Sequence, residues 1–350
     1  MGGIRTMQAR KHKGGCMDLL ERLSEASGTP GQEKEIRSII TEALTDHVDT
    51  FKTDRLGNTI AHRKGETPGV VAAHMDEIGF IVSLIEKDTG FLRFQPRGGF
   101  DTRSLISQRV VVHTESEDLI GCIGSKPVHI PTEEERKNPL ELKDLFIDLG
   151  LPEEQVQKLV TIGDMVTLKQ EFLTHGNVVS GKALDDRSGV YIGIEAIKRA
   201  KTVACDLYFI GTTQEEVGLR GARVAGFAPD ATVAADMPGV PDAQQGTQLG
   251  SGVGIKLNDS ASISHPRLVQ EMRTLAGDRK IPYQMEILPR NGTDAGTLQL
   301  AQEGAAVITL SLPTRYAHSV VEMAHRDDLE ATISLLAAFL ETADQIDLAL

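Results

Sequence analysis

The chain has 350 residues, of which 40% are hydrophobic and 25% charged, and its formal net charge is -13. Single hydrophobic cores divide above about 250 residues, so more than one domain is expected, and the acidic balance argues against nucleic acid or an anionic membrane as a partner. Because no apolar run approaches the ~20 residues of a membrane-spanning helix and the N-terminus lacks the apolar core of a secretory signal, a cytoplasmic location is expected.

The first part of the chain is predicted to be helical after a basic lead-in. Residues 1–16 carry Arg and Lys among several Gly without apolar periodicity, which predicts a disordered segment. The apolar spacing predicts one helix from Met17 to about residue 27 and a second from Glu33 to Leu44. The catalytic part of the chain is therefore expected to begin at Met17.

A buried strand is predicted over residues 70–73, immediately before His74 and Asp76. Residues two apart at a strand end project to the same side, so the Asp76 carboxylate is expected to hold the imidazole of His74 in one tautomer. The other ring nitrogen of His74 then stays available for a metal ion. Taken alone, a His-x-Asp pair is common and weakly specific.

Between residues 81 and 177 the sequence changes to short alternating strands separated by turns. This pattern predicts an inserted β-rich domain that divides an α/β domain into segments 17–80 and 178–350. Where the α/β pattern resumes, Asp185 and Asp186 precede an amphipathic helix. Carboxylates at that position commonly cap a helix or complement its dipole, so capping is the simpler interpretation of this pair.

Glu215 and Glu216 follow an apolar run over residues 205–211 that predicts a buried strand. Open α/β sheets build their sites past the carboxyl ends of such strands. Adjacent side chains of an extended segment point to opposite sides, so the two glutamates are expected to do different work. One would bind a metal ion and the other act as a general base, although an isolated Glu-Glu pair also fits a solvated acidic turn.

Two more candidates lie in the C-terminal half, where Asp236 ends an apolar run and His318 follows the last predicted strand. With the earlier motifs they supply imidazoles and carboxylates, the mixture that zinc, cobalt or manganese takes in hydrolytic sites. The three cysteines are scattered, which argues against a thiolate zinc site. Because one zinc needs only three protein ligands, the size of the set suggests two metal ions that share a carboxylate.

Five motifs in this order resemble those of the tetrahedral aminopeptidases, a dimetal family of glutamyl and leucyl aminopeptidase-like enzymes whose members are sometimes labelled cellulases or endoglucanases. The resemblance extends from Met17 to the C-terminus. The motifs are AHMDEIGF at 73–80, KALDDR at 182–187, EEVG at 215–218, GTDAG at 292–296 and RYAHS at 315–319. The resemblance implies an α/β/α sandwich catalytic domain of the zinc-peptidase type with the insertion as a dimerisation domain.

The resemblance also implies a role for each site residue. Asp185 would bridge two divalent metal ions, His74 and Asp236 would complete one site, and Glu216 and His318 the other. Glu215 would be the general base, and Asp76 would orient His74. The ions would be zinc, with cobalt or manganese as alternatives, and dimers would assemble into a homododecamer.

The function expected from the resemblance is the removal of N-terminal residues from peptides that have a free α-amino group, with no nucleic acid or membrane as partner. A dimetal amidohydrolase that deacylates N-acylated small molecules uses the same core chemistry and stays open. An endoglucanase is a third hypothesis, although the low aromatic content of 4% weakens it. A non-catalytic scaffold is not favoured, because every position of the motif set is intact.

Overall fold

The structure is a computed structural model that describes residues 17–127, 130, 139–225, 231–236, 246–288 and 292–348, with the backbone alone for 231–236. The basic segment 1–16, which the sequence predicts to be disordered, lies outside these residues. Within the described ranges, no helix combines the length and apolar character needed to cross a bilayer.

The helices and strands alternate along the chain. The α-helices are α1 (Asp18–Glu25), α2 (Lys34–Leu44), α3 (Glu153–Leu159), α4 (Leu184–Arg199), α5 (Arg220–Ala225), α6 (Pro266–Arg279), α7 (Asp294–Leu298) and α8 (Arg326–Leu340). The strands are β1 (Thr50–Thr53), β2 (Thr59–Arg63), β3 (Pro68–His74), β4 (Gly79–Ile85), β5 (Leu92–Arg97), β6 (Arg109–His113), β7 (Asp118–Ser125), β8 (Leu145–Asp148), β9 (Met165–Leu168), β10 (Leu173–His175), β11 (Val178–Gly181), β12 (Asp206–Thr212), β13 (Ala231–Asp236), β14 (Val253–Asp259), β15 (Tyr283–Leu288), β16 (Ala306–Ser311), β17 (Thr314–Arg315) and β18 (Glu322–His325). Short 3₁₀ turns cover Thr102–Ser104, Leu142–Asp144 and Ala343–Gln345.

An eight-stranded sheet in the order β1-β2-β12-β3-β13-β16-β14-β15 forms the centre of the molecule. Its four middle strands, β12, β3, β13 and β16, run parallel to one another. Their carboxyl ends therefore lie at one edge of the sheet. The register pairs Thr212 with His74 and Asp236 with Ser311, so these strands end at nearly the same level.

Helices cover both faces of this sheet because its inner strands bury side chains on alternate sides. Val71 and Phe209 belong to a core shared with α1, α2, α4, α6 and α8. Val70 and Ile210, one residue away on the same strands, pack with α5 and α7 in a separate cluster on the opposite face. The predicted α/β/α sandwich is therefore confirmed.

A closed barrel of six strands, in the order β4-β5-β8-β7-β6-β9, lies between β3 and β11 in the sequence. Its core contains Phe80, Val112 and Ile147, each fully buried. This barrel carries the β-rich pattern that the sequence shows between residues 81 and 177. The exact domain boundaries and the dimerisation role of the barrel remain predictions.

A small sheet in the order β10-β11-β18-β17 completes the architecture. Within it, β11 and β18 are antiparallel, and Gly181 pairs with Glu322. This pairing brings the segment before Asp185 beside the segment after His318. The small sheet thus joins two motifs that are more than one hundred residues apart in the sequence.

Candidate metal centre

Glu215 and Glu216 lie in a turn that follows β12. Gln214 has a φ of 56°, in the left-handed region, so the chain leaves the extended conformation before the two glutamates. The expected opposite projection of an extended segment therefore does not apply. The Asp76 carboxylate instead accepts hydrogen bonds from both backbone N–H groups, at 3.0 Å from Glu215 N and 3.1 Å from Glu216 N.

The two glutamates nevertheless face different histidines. Glu215 Oε2 lies 3.9 Å from His74 Nε2, and Glu216 Oε2 lies 3.6 Å from His318 Nε2. The Glu215 side chain is 15% exposed and the Glu216 side chain 5% exposed. The pair is thus divided between the two ends of one cluster, with Glu215 at the buried His74 and Glu216 at the more exposed His318.

His74 ends β3 and points one ring nitrogen at Asp185. Its Nε2 lies 3.2 Å from Asp185 Oδ1, while its Nδ1 lies 3.1 Å from the backbone oxygen of Asp76 and 3.6 Å from the Asp76 carboxylate. The predicted partner residue is therefore in contact, but its carbonyl oxygen is closer than its carboxylate. A carbonyl oxygen only accepts, so Nδ1 carries a proton and Nε2 is the ring nitrogen that would bind a metal ion in the cluster.

Asp185 lies between the two imidazoles at a kink where α4 begins. Both Asp185 and Asp186 have non-helical backbone angles, and the peptide bond that joins them is cis. Asp185 Oδ1 faces His74, and Asp185 Oδ2 lies 3.5 Å from His318 Nε2. One carboxylate therefore contacts both histidines, which is the position expected of a bridging ligand.

Asp186 holds the backbone around this kink. Its Oδ2 accepts from His74 N at 3.2 Å and its Oδ1 from Gly189 N at 3.0 Å. The second bond satisfies an N–H in the first helical turn, as the capping interpretation expects. The first bond ties α4 to the end of β3, so this side chain supports the site without facing the cluster.

His318 receives its second contact from the barrel. Its Nδ1 lies 3.1 Å from the backbone oxygen of Gly99, in the loop that follows β5. As at His74, the carbonyl partner keeps a proton on Nδ1, so Nε2 is the ring nitrogen that faces the carboxylates and would bind a metal ion. Gly99 could not be predicted as a partner of His318, because a backbone carbonyl carries no side-chain pattern in the sequence.

Asp236 ends β13, which pairs with β3 on one side and β16 on the other. The backbone therefore places this residue at the same sheet edge as His74. Its side chain lies outside what the structure describes, so the role of Asp236 as a ligand stays a prediction.

Burial and charge together perturb the titration of the cluster. Burial raises the pKa of Glu216 to about 8, and the Asp185 contact raises the pKa of His318 to about 10. Burial lowers the pKa of His74, yet the nearby Glu215, Asp185 and Asp76 carboxylates outweigh it and hold that pKa well above the usual range. Several carboxylates therefore lie close together in one buried cluster, where a nearby positive charge stabilises their ionised forms.

A divalent cation would supply the charge that these carboxylates require. Ligand atoms of His74, Asp185 and Glu216 all lie within 4.8 Å of one another. Two imidazole nitrogens with carboxylate oxygens form a donor set that suits zinc, cobalt or manganese. The described residues therefore fit a metal centre.

A network of buried charged side chains supports the segments that lead to the site. Glu77 Oε2 accepts a hydrogen bond from Lys182 Nζ at 2.6 Å. Glu77 Oε1 accepts one from Gly28 N at 3.0 Å and lies 3.6 Å from Arg187 Nη2. All three charged side chains are at most 5% exposed. Lys182 also donates to the backbone oxygen of Ala26 at 3.0 Å, so the network joins the motif before α4 to the segment after α1.

Replacing Lys182 by Met is expected to lower the free energy of unfolding by about 3–5 kcal/mol, because it leaves the buried Glu77 charge without its nearest partner. Urea-induced unfolding measures this loss. The control is Arg22→Met, which breaks an exposed ion pair with Glu42 whose Nη2 and Oε2 atoms are 2.6 Å apart. An exposed pair contributes about 1 kcal/mol or less, so equal losses in the two variants would contradict the prediction.

Comparison with known proteins gives a consistent result. A family model described as M42 glutamyl aminopeptidase matches residues 57–335. A putative aminopeptidase of Acetivibrio thermocellus is 38% identical over 327 residues, which cover 91% of this chain and 96% of that protein. A lysyl aminopeptidase of Pyrococcus furiosus is 37% identical over 344 residues, which cover 94% and 98%. The solved structure of the TET1 peptidase of Pyrococcus horikoshii, described as able to assemble into a tetrahedron or a large octahedral shell, has a TM-score of 0.85 at 34% identity and covers 92% of this chain and 98% of that one.

Proposed function

The chain belongs to the M42 glutamyl aminopeptidase family and is a peptide-bond hydrolase, and from this premise we propose which residues perform the reaction. The observation that supports the proposal is the Asp185 carboxylate, which contacts an imidazole on each side. In this proposal the metal ligands are His74, Asp185, Glu216, Asp236 and His318. Glu215 is the general base, and Asp76 holds the segments that carry His74, Glu215 and Glu216.

Two divalent metal ions, when bound, supply a Lewis acid for the scissile carbonyl and lower the pKa of water. The residues around the ions hold the ligands in position. Asp185 keeps the two halves of the ligand set together, and the carbonyls of Asp76 and Gly99 hold the imidazole rings in the tautomer that presents Nε2. Zinc, cobalt and manganese all suit this donor set, and metal availability decides among them.

Glu215 is assigned the proton transfer because of its place in the cluster. Its carboxylate lies 3.9 Å from His74 Nε2, farther than Asp185, and its side chain is more exposed than that of Glu216. The Asp76 contact with Glu215 N fixes the backbone from which this side chain extends. A carboxylate so placed accepts a proton at Oε2 from the attacking water and returns it to the leaving amine.

The proposed substrates are peptides with a free α-amino group. A metal ion held by this ligand set would bind the lone pair of an unprotonated α-amino group, which an N-acyl group does not offer. The deacylase hypothesis has no contact that favours it. The endoglucanase hypothesis is not retained, because hydrolysis by paired carboxylates leaves His74 and His318 without a role.

We also propose a homododecamer built from dimers, in the cytoplasm. The barrel exposes large apolar side chains, with Leu84 51%, Ile120 47% and Ile162 62% exposed. Exposed apolar groups of this kind are typical of association surfaces. The assembly described for the Pyrococcus horikoshii peptidase supports the same arrangement for this chain.

A panel of free and N-acetylated aminoacyl and peptide substrates tests the proposed reaction. We expect hydrolysis of free N-termini only, by protein loaded with zinc, cobalt or manganese, and loss of activity after chelation. Readdition of the metal ion is the control, because it restores activity unless the chelator has unfolded the protein. Preference for acetylated substrates would instead support the deacylase hypothesis.

A further inference from the structure

Glu322 connects two of the proposed metal ligands through their backbones. Its side chain is almost completely buried, at 2% exposed for the residue. Oε2 accepts a hydrogen bond from Asp185 N at 3.0 Å, and Oε1 accepts one from His318 N at 2.8 Å. One carboxylate therefore binds two segments that are 133 positions apart, from residue 185 to residue 318.

The His318 segment has a backbone conformation that needs external support. His318 has a φ of 60°, in the left-handed region that non-glycine residues rarely adopt. A buried backbone N–H that loses its acceptor is destabilised, so the two hydrogen bonds hold both segments in place. Glu322 therefore opposes the relaxation of either segment away from the other.

The position of Glu322 is itself fixed by the small sheet. It begins β18, and its backbone pairs with Gly181, the last residue of β11. Strand β18 thus carries the Glu322 carboxylate, and its partner β11 leads along the chain to Asp185. A displacement of either strand would move both proposed ligands.

We propose that Glu322 is a positioning residue that sets the separation of Asp185 and His318 and thereby the affinity of the centre for metal ions. This inference rests on the proposed ligand set. Glu322 does not coordinate the ions in this arrangement, since both of its oxygens bind backbone N–H groups. Partners that orient ligands in this way typically contribute 10–100-fold to metal affinity.

The chain offers a matched control in Asp328, on α8. This residue is completely buried, and its carboxylate accepts from Gly250 N at 2.6 Å and from Gly252 N at 2.7 Å. Asp328 therefore has the same bonding pattern as Glu322 but binds residues outside the ligand set. A purely structural role predicts the same consequences for both carboxylates.

The test is isothermal titration of Zn²⁺ into the full-length apoprotein of the wild type, Glu322→Gln, Glu322→Asp and Asp328→Asn, with urea unfolding of each apoprotein. The Gln side chain retains one acceptor but presents an N–H group to the other backbone N–H. The Asp side chain retains the carboxyl group but is one methylene shorter. We expect both Glu322 variants to bind Zn²⁺ about 10–100-fold more weakly than the wild type, whereas Asp328→Asn loses stability and retains its Zn²⁺ affinity.

The outcomes separate the possible failures. Wild-type affinity in Glu322→Gln, or an equal loss of affinity in Asp328→Asn, overturns the positioning role. Wild-type affinity in Glu322→Asp also overturns it, because the reach of the side chain would then not matter. If Glu322→Gln does not fold, Glu322→Asp decides the question. A wild type that binds no metal ion overturns the proposed ligand set and this inference with it.

Discussion

Glu215→Gln is expected to lower kcat/KM for a free aminoacyl substrate by on the order of 10²–10⁴-fold, the range that general acid–base catalysis contributes. The variant keeps the size of the side chain and removes the carboxylate that accepts the proton. The ligand atoms that lie within 4.8 Å of one another belong to His74, Asp185 and Glu216, and Glu215 is assigned outside the proposed ligand set. Metal content, measured by elemental analysis, should therefore equal that of the wild type.

The neighbouring residue supplies the control for this experiment. Glu216→Gln is the same chemical change one position later, but the Glu216 carboxylate faces His318 and belongs to the ligand-atom group with His74 and Asp185. We expect this variant to lose metal ion as well as activity. Full activity in metal-loaded Glu215→Gln, or loss of metal from it, would show that the base is wrongly assigned.

The location of the site could be predicted from the sequence because local patterns determine it. Apolar runs mark the buried strands, and the carboxyl ends of parallel strands meet at one sheet edge. His74, Glu215 and Asp236 each follow such a run, and the structure ends β3 and β13 at His74 and Asp236 and ends β12 three residues before Glu215. The α/β/α sandwich follows from the same patterns.

The contacts that hold the site could not be predicted, because they depend on pairing between distant segments. Glu322 reaches Asp185 only because β18 pairs with β11, and one sequence contains no signal for that register. Gly99 reaches His318 only because a barrel loop lies against the catalytic sheet. The turn at Gln214 is also a non-local effect, since Asp76 holds both of the N–H groups that follow it.

Asp185→Asn is expected to have the largest effect on the metal centre of any single substitution proposed for this chain. The amide has the same shape, but it lacks the negative charge and presents an N–H group to one of the two imidazoles. Because Asp185 contacts both His74 and His318, both halves of the ligand set are affected together. The metal content should fall from two ions per subunit to one or none.

The loss of activity follows from the loss of the ions. A catalytic metal ion contributes several kcal/mol of transition-state stabilisation, and each 1.36 kcal/mol is tenfold in rate, so kcat/KM should fall by about three or more orders of magnitude. Asp185→Asn should regain little activity in excess metal because the shared ligand itself is lost, and Glu215→Gln, which keeps its ions, should not respond to added metal. Elemental analysis of the purified variant and assays over a metal titration measure the two effects separately.

Asp186→Asn is the matched control, because it changes an adjacent buried carboxylate in the same way. Asp186 binds the backbone N–H groups of His74 and Gly189, and it faces away from the cluster. This variant should lose stability in urea unfolding and bind metal more weakly because the His74 backbone is released, but it should still take up two ions at saturating metal. If Asp185→Asn also retained two ions, the shared carboxylate would not be a bridging ligand, and the contact between Asp185 and the two histidines would have to be explained by charge pairing alone. The two adjacent aspartates therefore separate the metal-binding role of this kink from its structural role.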